Sequence, residues 1–321
     1  MLNNNYIPID FNDRNNQISL ILEDILDSPY SQNIVFKGGT MMSFFLESNR
    51  FSEDLDFSLI NTDIWIELAT WLYHYLRNKW YDLWELHLDR TNVYHMEVYY
   101  FVNWNKYACQ VELFKYNYNV KIKYYQDFFL WKPINVMNVD QSFSHKCCAY
   151  FERWNKKIEM SWKPKGRDLF DIYHYIKMGS KLDLNIIKTR LWFNNEIQLF
   201  SEIYKKINIT HYKKIKDFAY EIENFSYKKI NWVEFINELL EIVNNRYLWG
   251  RMIYNKNIMD ELDNIDDLNK VIIDDDLMIK KRLEYYEIYD LNTFQCIYNT
   301  KDKQKMRKKV LNILDEKYFQ I

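Results

Sequence analysis

Glycine, proline and cysteine are scarce in this chain: five, four and four residues in 321. The cysteines, Cys109, Cys147, Cys148 and Cys296, form no CxxC pair and no Cys/His cluster with zinc-ligand spacing, which excludes a structural zinc site. Adjacent side chains on a helix point about 100° apart, so Cys147 and Cys148 read as small packing residues in a reducing cytoplasm rather than a bridge. An excess of one charge is also missing. Forty-three Lys and Arg face 45 Asp and Glu, so any nucleic-acid contact must come from local patches, not from a uniformly basic coat. No apolar run approaches the length of a membrane span, and "MLNNNYIPIDFNDRNNQ" lacks the basic-then-apolar layout of a signal peptide. The expectation is a soluble cytoplasmic protein with no membrane partner. In so glycine-poor a chain, the adjacent pair Gly38 and Gly39 stands out.

What the chain does have is 48% hydrophobic and 18% aromatic residues, enough to fill the core of one large or two ordinary domains. "NQISLILEDIL" has helical spacing and "NIVFK" reads as a short buried strand ending at the glycines. "TMMSFFLES" reads as a helix starting just after them, "FSEDLDFSLI" as a second strand, and "TDIWIELATWLYHYLRNKW" as a long amphipathic helix. Further strands are expected at "WELHLDR", "YHMEVYYFV" and "ACQVELFKY". Beyond them "SFSHKCCAYFERWNKKI" and "DLFDIYHYIKMG" look helical, with Gly179 as a stop, and from about residue 183 almost everything has helical periodicity. The fold class is therefore α+β: a mixed-sheet core over residues 1–135 and a mostly helical domain over 136–321. An acidic stretch from Met259 to Asp276 precedes a lysine-rich C-terminus, as a solvated helix face or as a cover for a basic groove.

Two glycines between a strand and a helix let the backbone turn sharply and approach a ligand, while the first N–H groups of the helix stay free for an anion. Thr40 stands where its hydroxyl either adds a phosphate contact or caps the helix. A tight turn alone explains Gly-Gly-Thr equally well. Asp54 and Asp56 add weight, because residues two apart on a strand share a face and their mutual repulsion calls for a cation. Oxygen-only ligands favour magnesium. A third carboxylate is expected from a neighbouring strand, and Glu112 in "CQVELFKY" is preferred to Glu97 in "HMEVYY".

Taken in order, "FKGGTMMSFF", "NRFSEDLDFSL", "HKCCAYFERW" and "GRDLFDIYHYI" resemble the AbiEii/AbiGii toxin family within the polymerase-β-like nucleotidyltransferases, over roughly residues 20 to 180. The resemblance implies a Gly-Gly-Thr turn at Gly38, Gly39 and Thr40, and a strand motif at Arg50, Ser52, Asp54 and Asp56. It also implies a helix lysine at Lys146 and a late segment at Arg167, Asp168 and Asp171. Asp54, Asp56 and Glu112 are then the metal ligands and, with Lys146 and Asp168, the catalytic set. Gly38, Gly39, Thr40, Arg50, Ser52, Lys146 and Arg153 bind nucleotide, with Arg167 and Asp171 in support. Met41 and Met42 depart from the family's usual small or leucine-like residues, and residues beyond 180 match nothing in the pattern. Gly166 and Gly179 bracket the late segment, so four of the five glycines adjoin the two motif regions.

The resemblance implies transfer of a nucleoside monophosphate from an NTP to an acceptor, with two Mg2+ ions or Mn2+. The setting is a toxin–antitoxin or phage-defence system, with a cognate antitoxin as partner. It favours the 3′ end of tRNA as acceptor, with translation blocked as a result. The helical domain would complete the site through Lys146 and Asp168 and bind the acceptor. The basic segments "ERWNKKIEMSWKPKGR" and "HYKKIKDF" mix cations with aromatics, as a backbone-binding surface or as a solvated face. The alternatives are the same chemistry on a protein hydroxyl or small molecule, and an NTP-binding or partner-binding module with little turnover.

Overall fold

The computed structural model describes residues 9–79, 81–88, 93–115, 120–155, 166–207, 226, 231–268, 270–273, 277–293 and 295–318. These divide into two compact units. One takes in the described residues up to Leu191 with Ser226 and 231–235, and the other takes in 192–207 and those from Ile236 onward.

The first unit is built on a seven-stranded mixed sheet. Its strands are β1 (Ile34–Lys37), β2 (Leu55–Leu59), β3 (Asp82–Leu88), β4 (Val93–Val102), β5 (Asn105–Lys115), β6 (Tyr124–Phe129) and β7 (Lys132–Met137), in the order β3-β4-β5-β2-β1-β7-β6. β1 is antiparallel to β2 and parallel to β7, and β2 is parallel to β5. The short central strands are mostly buried, with Ile34, Val35 and Phe36 of β1 and Leu55, Phe57 and Leu59 of β2 apolar, while Lys37 and Asp56 are the partly exposed positions. β4 instead alternates: Tyr94, Met96, Val98, Tyr100 and Val102 are buried, while His95, Glu97, Tyr99 and Phe101 point the other way and are at least partly exposed.

Helices α1 (Ile9–Leu26) and α3 (Trp65–Asn78) pack against this sheet, with α2 (Gly38–Phe45) leading directly out of β1. Both glycines belong to the first turn of α2, so the helix starts at them and not after them. After β7 come α4 (Val139–Asn155), α5 (Gly166–Lys177) and α6 (Leu184–Leu191), with α4 packed on both α5 and α6. Gly179 stops α5 in the left-handed region at φ +74°, its N–H donating to the Ile176 carbonyl. The division into compact units thus falls well beyond the expected boundary at 135/136. Across the expected boundary, α5 is joined to the segment before β2 by the buried Arg50–Asp171 pair, and α4 to α5 by Lys146 and Arg153.

The second unit holds a helix at 196–207, α8 (Trp232–Asp263, whose first turn lies in the other unit), α9 (Ile265–Leu268) and α10 (Lys303–Tyr318). We number the 196–207 helix α7. Between α9 and α10 the near-uniform helix expected after residue 183 gives way to a four-stranded antiparallel sheet. Its strands are β8 (Lys270–Ile273), β9 (Leu277–Arg282), β10 (Tyr285–Asp290) and β11 (Gln295–Thr300), in the order β11-β10-β9-β8. Short alternating runs such as "LMIKKR" and "YYEIYD" bury every second residue against Met306, Val310 and Leu314 of α10, so the period of two prevails. Much of the acidic stretch lies in α8, α9 and β8. Its Asp266 accepts hydrogen bonds from Tyr286 and Lys303 and pairs with Lys281, all within this unit. Residues 269 and 274–276 of that stretch, and the basic segments at 156–165 and 211–218, lie outside the described residues.

None of the four cysteines is in a disulfide, and Cys109, Cys147 and Cys148 are buried. Among the described residues no helix is long and apolar enough to cross a membrane.

Candidate active site

Strand register places four ionisable side chains in one row across the sheet. Lys37 pairs with Asp56, Asp56 with Glu112, and Glu112 with His95, each directly opposite the next and so on a common face. The His95 ring meets the carboxylate of Glu112 at 2.9 Å, Nδ1 to Oε1. Burial raises the Asp56 pKa to about 7, helped by the negative charges of Glu112 and Asp54 and opposed by Lys37. Burial also acts to raise Glu112, but the hydrogen bonds from His95 and Asp56 outweigh it and hold this carboxyl below its ordinary value. The two carboxyls lie within hydrogen-bonding reach of each other. Burial lowers Lys37 to about 8 against the attraction of Asp56 and Glu112, and its ammonium sits 3.5 Å from the centre of the Phe114 ring.

The glycines are sockets for the second motif. Gly38 adopts φ +82°, a conformation that costs a side-chain-bearing residue about 1 kcal/mol or more, and a Cβ there would fall on the carboxylate of Asp56. A Cβ at Gly39 would collide with the Arg50 guanidinium and lie 2.6 Å from the Ser52 hydroxyl. Thr40 is fully buried and its hydroxyl donates to the carbonyl of Asp54, which precedes β2, so it ties the helix to the motif strand. Turn and strand therefore interlock, and Gly38 is constrained both by backbone and by space.

A second charged cluster joins the motif to the helices. Arg50, 2% exposed, grips Asp171 with two hydrogen bonds, Nε to Oδ1 at 2.5 Å and Nη2 to Oδ2 at 2.7 Å, and donates a third to the Phe51 carbonyl at 3.2 Å. The Lys146 ammonium lies 2.8 Å from Asp171 and 3.7 Å from Asp168, and Arg153 pairs with Asp168. Both aspartates are buried. Although burial alone would raise it, Asp171 is lowered to about 2 by Arg50 and Lys146. Burial lowers Lys146, with Asp171 opposing.

The expected site residues therefore fall into two neighbouring groups: Gly38, Asp56 and Glu112 at the row with Asp54 just before β2, and Arg50, Lys146, Arg153, Asp168 and Asp171 in the cluster. Gly39 and Ser52 adjoin Arg50, and Arg167 stands at the start of α5 beside Asp168. Arg50 spends its hydrogen bonds inside the protein, on Asp171 and Phe51. Lys37 and His95 went unnoticed in the sequence. Their signal was strand position: Lys37 ends the strand before the glycines, and His95 shares the alternation of "YHMEVYY" with Glu97.

Among the described residues no group of three or more His, Cys, Asp or Glu stands assembled for a metal ion. Two carboxylates close enough to share a proton, with Asp54 adding its charge, nonetheless offer the oxygen-only donors that a hard divalent cation takes. Magnesium sites of this kind leave the remaining positions to water and phosphate oxygens.

The fold is that of solved nucleotidyltransferases. A putative nucleotidyltransferase from H. pylori superposes with a TM-score of 0.52 at 17% identity, covering 76% of this chain and 98% of that one. JHP933 from Helicobacter pylori gives a TM-score of 0.50 at 16% identity, covering 79% of this chain and 100% of that one. No curated protein sequence matches significantly. The profile described as "Nucleotidyl transferase AbiEii toxin, Type IV TA system" matches residues 20–247, most of the chain, and the protein belongs to that family. It is a nucleotidyltransferase of the toxin class.

Proposed function

We propose that this toxin transfers a nucleoside monophosphate from an NTP to the 3′ end of an RNA, with tRNA the favoured acceptor, and so blocks translation. The observation that carries the chemistry is the row Lys37–Asp56–Glu112–His95 at the N-terminal end of α2. Asp54, Asp56 and Glu112 hold divalent metal, Mg2+ by the hardness of their oxygens. When bound, the metal neutralises phosphate charge and polarises the reacting oxygens.

The chain's own residues do the rest. Gly38 and Gly39 present α2 backbone N–H groups to the phosphates, and the helix dipole favours that charge. Thr40 serves this subsite by anchoring the loop of Asp54. Lys37 supplies positive charge beside Asp56, and His95 holds Glu112 in place through its 2.9 Å contact. Arg50, Ser52, Asp168 and Asp171 fix the motif against the helices, with Arg167 in support, while Lys146 and Arg153 bring cationic charge to the nucleotide side. The region from 136 onward contributes this cluster and takes part in acceptor binding. A cognate antitoxin, a cytoplasmic setting and a role in phage defence accord with the family.

The acceptor rests on the family resemblance. Purified protein incubated with tRNA, Mg2+ and each α-labelled NTP should place label on tRNA 3′ ends, and Asp56→Ala should abolish it. Label on protein instead of RNA selects the alternative acceptor, and no label with any NTP overturns the reading.

A further inference from the structure

Two hairpins of the seven-stranded sheet end in two-residue turns that carry tryptophan where glycine is usual. Asn103 and Trp104 join β4 to β5 at φ +48° and +66°, and Leu130 and Trp131 join β6 to β7 at φ +46° and +71°. Turns of this hand favour Asn-Gly, because positive φ is needed at both positions. Trp104 is 99% exposed and Trp131 94% exposed, so neither ring gains burial in return for its backbone conformation.

The two tips differ in where they point. β7 runs parallel to β1 with Phe36 opposite Val136, so Trp131 lies beyond the end of β1 remote from Lys37. β5 runs parallel to β2 with Asp56 opposite Glu112, so the earlier part of β5, and Trp104 with it, projects past the site end of the sheet. On the face that carries Glu112, the following positions are Gln110, Ala108 and Lys106 on β5, opposite Glu97, Tyr99 and Phe101 on β4. Phe101 is 60% exposed, and with Asn103 and Trp104 it lines a shallow open depression. The charges along this face are engaged with one another: Tyr99 donates to Glu97 at 2.6 Å, and Lys106 pairs with Asp82 at 2.7 Å. What the face offers at its far end is aromatic surface.

We infer that this face of the β4–β5 hairpin is the track for the single-stranded 3′ end of the RNA acceptor, with bases stacking on Phe101 and Trp104 and the terminal hydroxyl delivered to Asp56 and Glu112. The inference rests on the nucleotidyl-transfer reading above. Six residues separate Glu112 from the level of Phe101, roughly 20 Å at about 3.4 Å per residue. A stacked strand covers that span with about six nucleotides at ~3.4 Å each. Base stacking on aromatics is indifferent to sequence, since every base presents a π-face.

Fluorescence anisotropy of the full chain with a labelled eight-nucleotide single-stranded oligoribonucleotide tests this without requiring turnover. Phe101→Ala and Trp104→Gly should each weaken binding about tenfold, the range of one lost stacking contact, whereas Trp131→Gly should leave it unchanged. Both glycine variants should melt at the same temperature as the parent or higher, since glycine accepts positive φ without strain, so lost binding cannot be ascribed to unfolding. A four-nucleotide oligomer, too short to reach the tip, should bind wild type and Trp104→Gly equally. Unchanged binding of the eight-mer by Phe101→Ala and Trp104→Gly, or an equal loss in Trp131→Gly, overturns the track and gives the tip to a protein partner. If transfer to RNA persists in that case, only the track has failed. If no NTP is transferred by the wild type, it is the parent reading that fails, and the anisotropy series still decides the track.

Discussion

On the sheet, Asp56 sits among carboxylates with its pKa raised to about 7. In the helix-borne cluster, Asp171 is the more deeply buried of the two, yet two cations hold it at about 2. Both are aspartates of the family pattern, and burial pushes both the same way. The neighbours decide the outcome: Glu112 and Asp54 add negative charge to one, while Arg50 and Lys146 surround the other. The row keeps a surplus of carboxylates, opposed by the cation Lys37. The carboxylates of the cluster are matched by cations within it, Asp171 by Arg50 and Lys146 and Asp168 by Arg153.

Substitutions should separate the two. Asp56→Asn should lower nucleotidyl transfer by about a thousandfold or more while the melting temperature stays level or rises, because it removes a carboxylate from a repulsive neighbourhood. A large drop in melting temperature would erase the distinction. Asp171→Ala should do the reverse in kind: it strands the Arg50 guanidinium in the core at a cost of about 3–5 kcal/mol, read by urea titration. Replacing Arg50 and Asp171 together by Met and Leu should recover much of that stability without restoring full activity, which sharpens the division between holding and reacting.

Acid should reach the cluster last. Asp171 has a folded pKa below its ordinary value of 3.8, so its contribution is present above that value and is lost as pH falls toward about 2. In the Asp171→Ala variant that part of the acid unfolding curve, between about pH 4 and 2, should flatten. Smallest of all, Thr40→Val should cost about 1 kcal/mol through the lost hydrogen bond to the Asp54 carbonyl, with a modest fall in transfer rate.

The contrast also marks what the sequence can disclose. That Gly38, Asp56 and Glu112 come together was legible, because strand alternation is local and a glycine pair in a glycine-poor chain is conspicuous. Nothing local shows that Gly38 is vacant for the Asp56 carboxylate, or that Lys37 and His95 complete the row. Those depend on register between strands as far apart as β1 and β4. Arg50 looked like a ligand for phosphate because its partner stands 121 positions later. Residues 270–300 looked helical because strands of four to six residues contain too few repeats to separate a period of two from one of 3.6.

That 121-residue separation also sets a clock on the toxin during its own synthesis. At roughly 5–20 residues per second, Arg50 emerges on the order of ten seconds before the segment that will hold it. Until α5 has left the ribosome, the nascent chain carries the Arg50 guanidinium without the carboxylate that holds it in the folded protein.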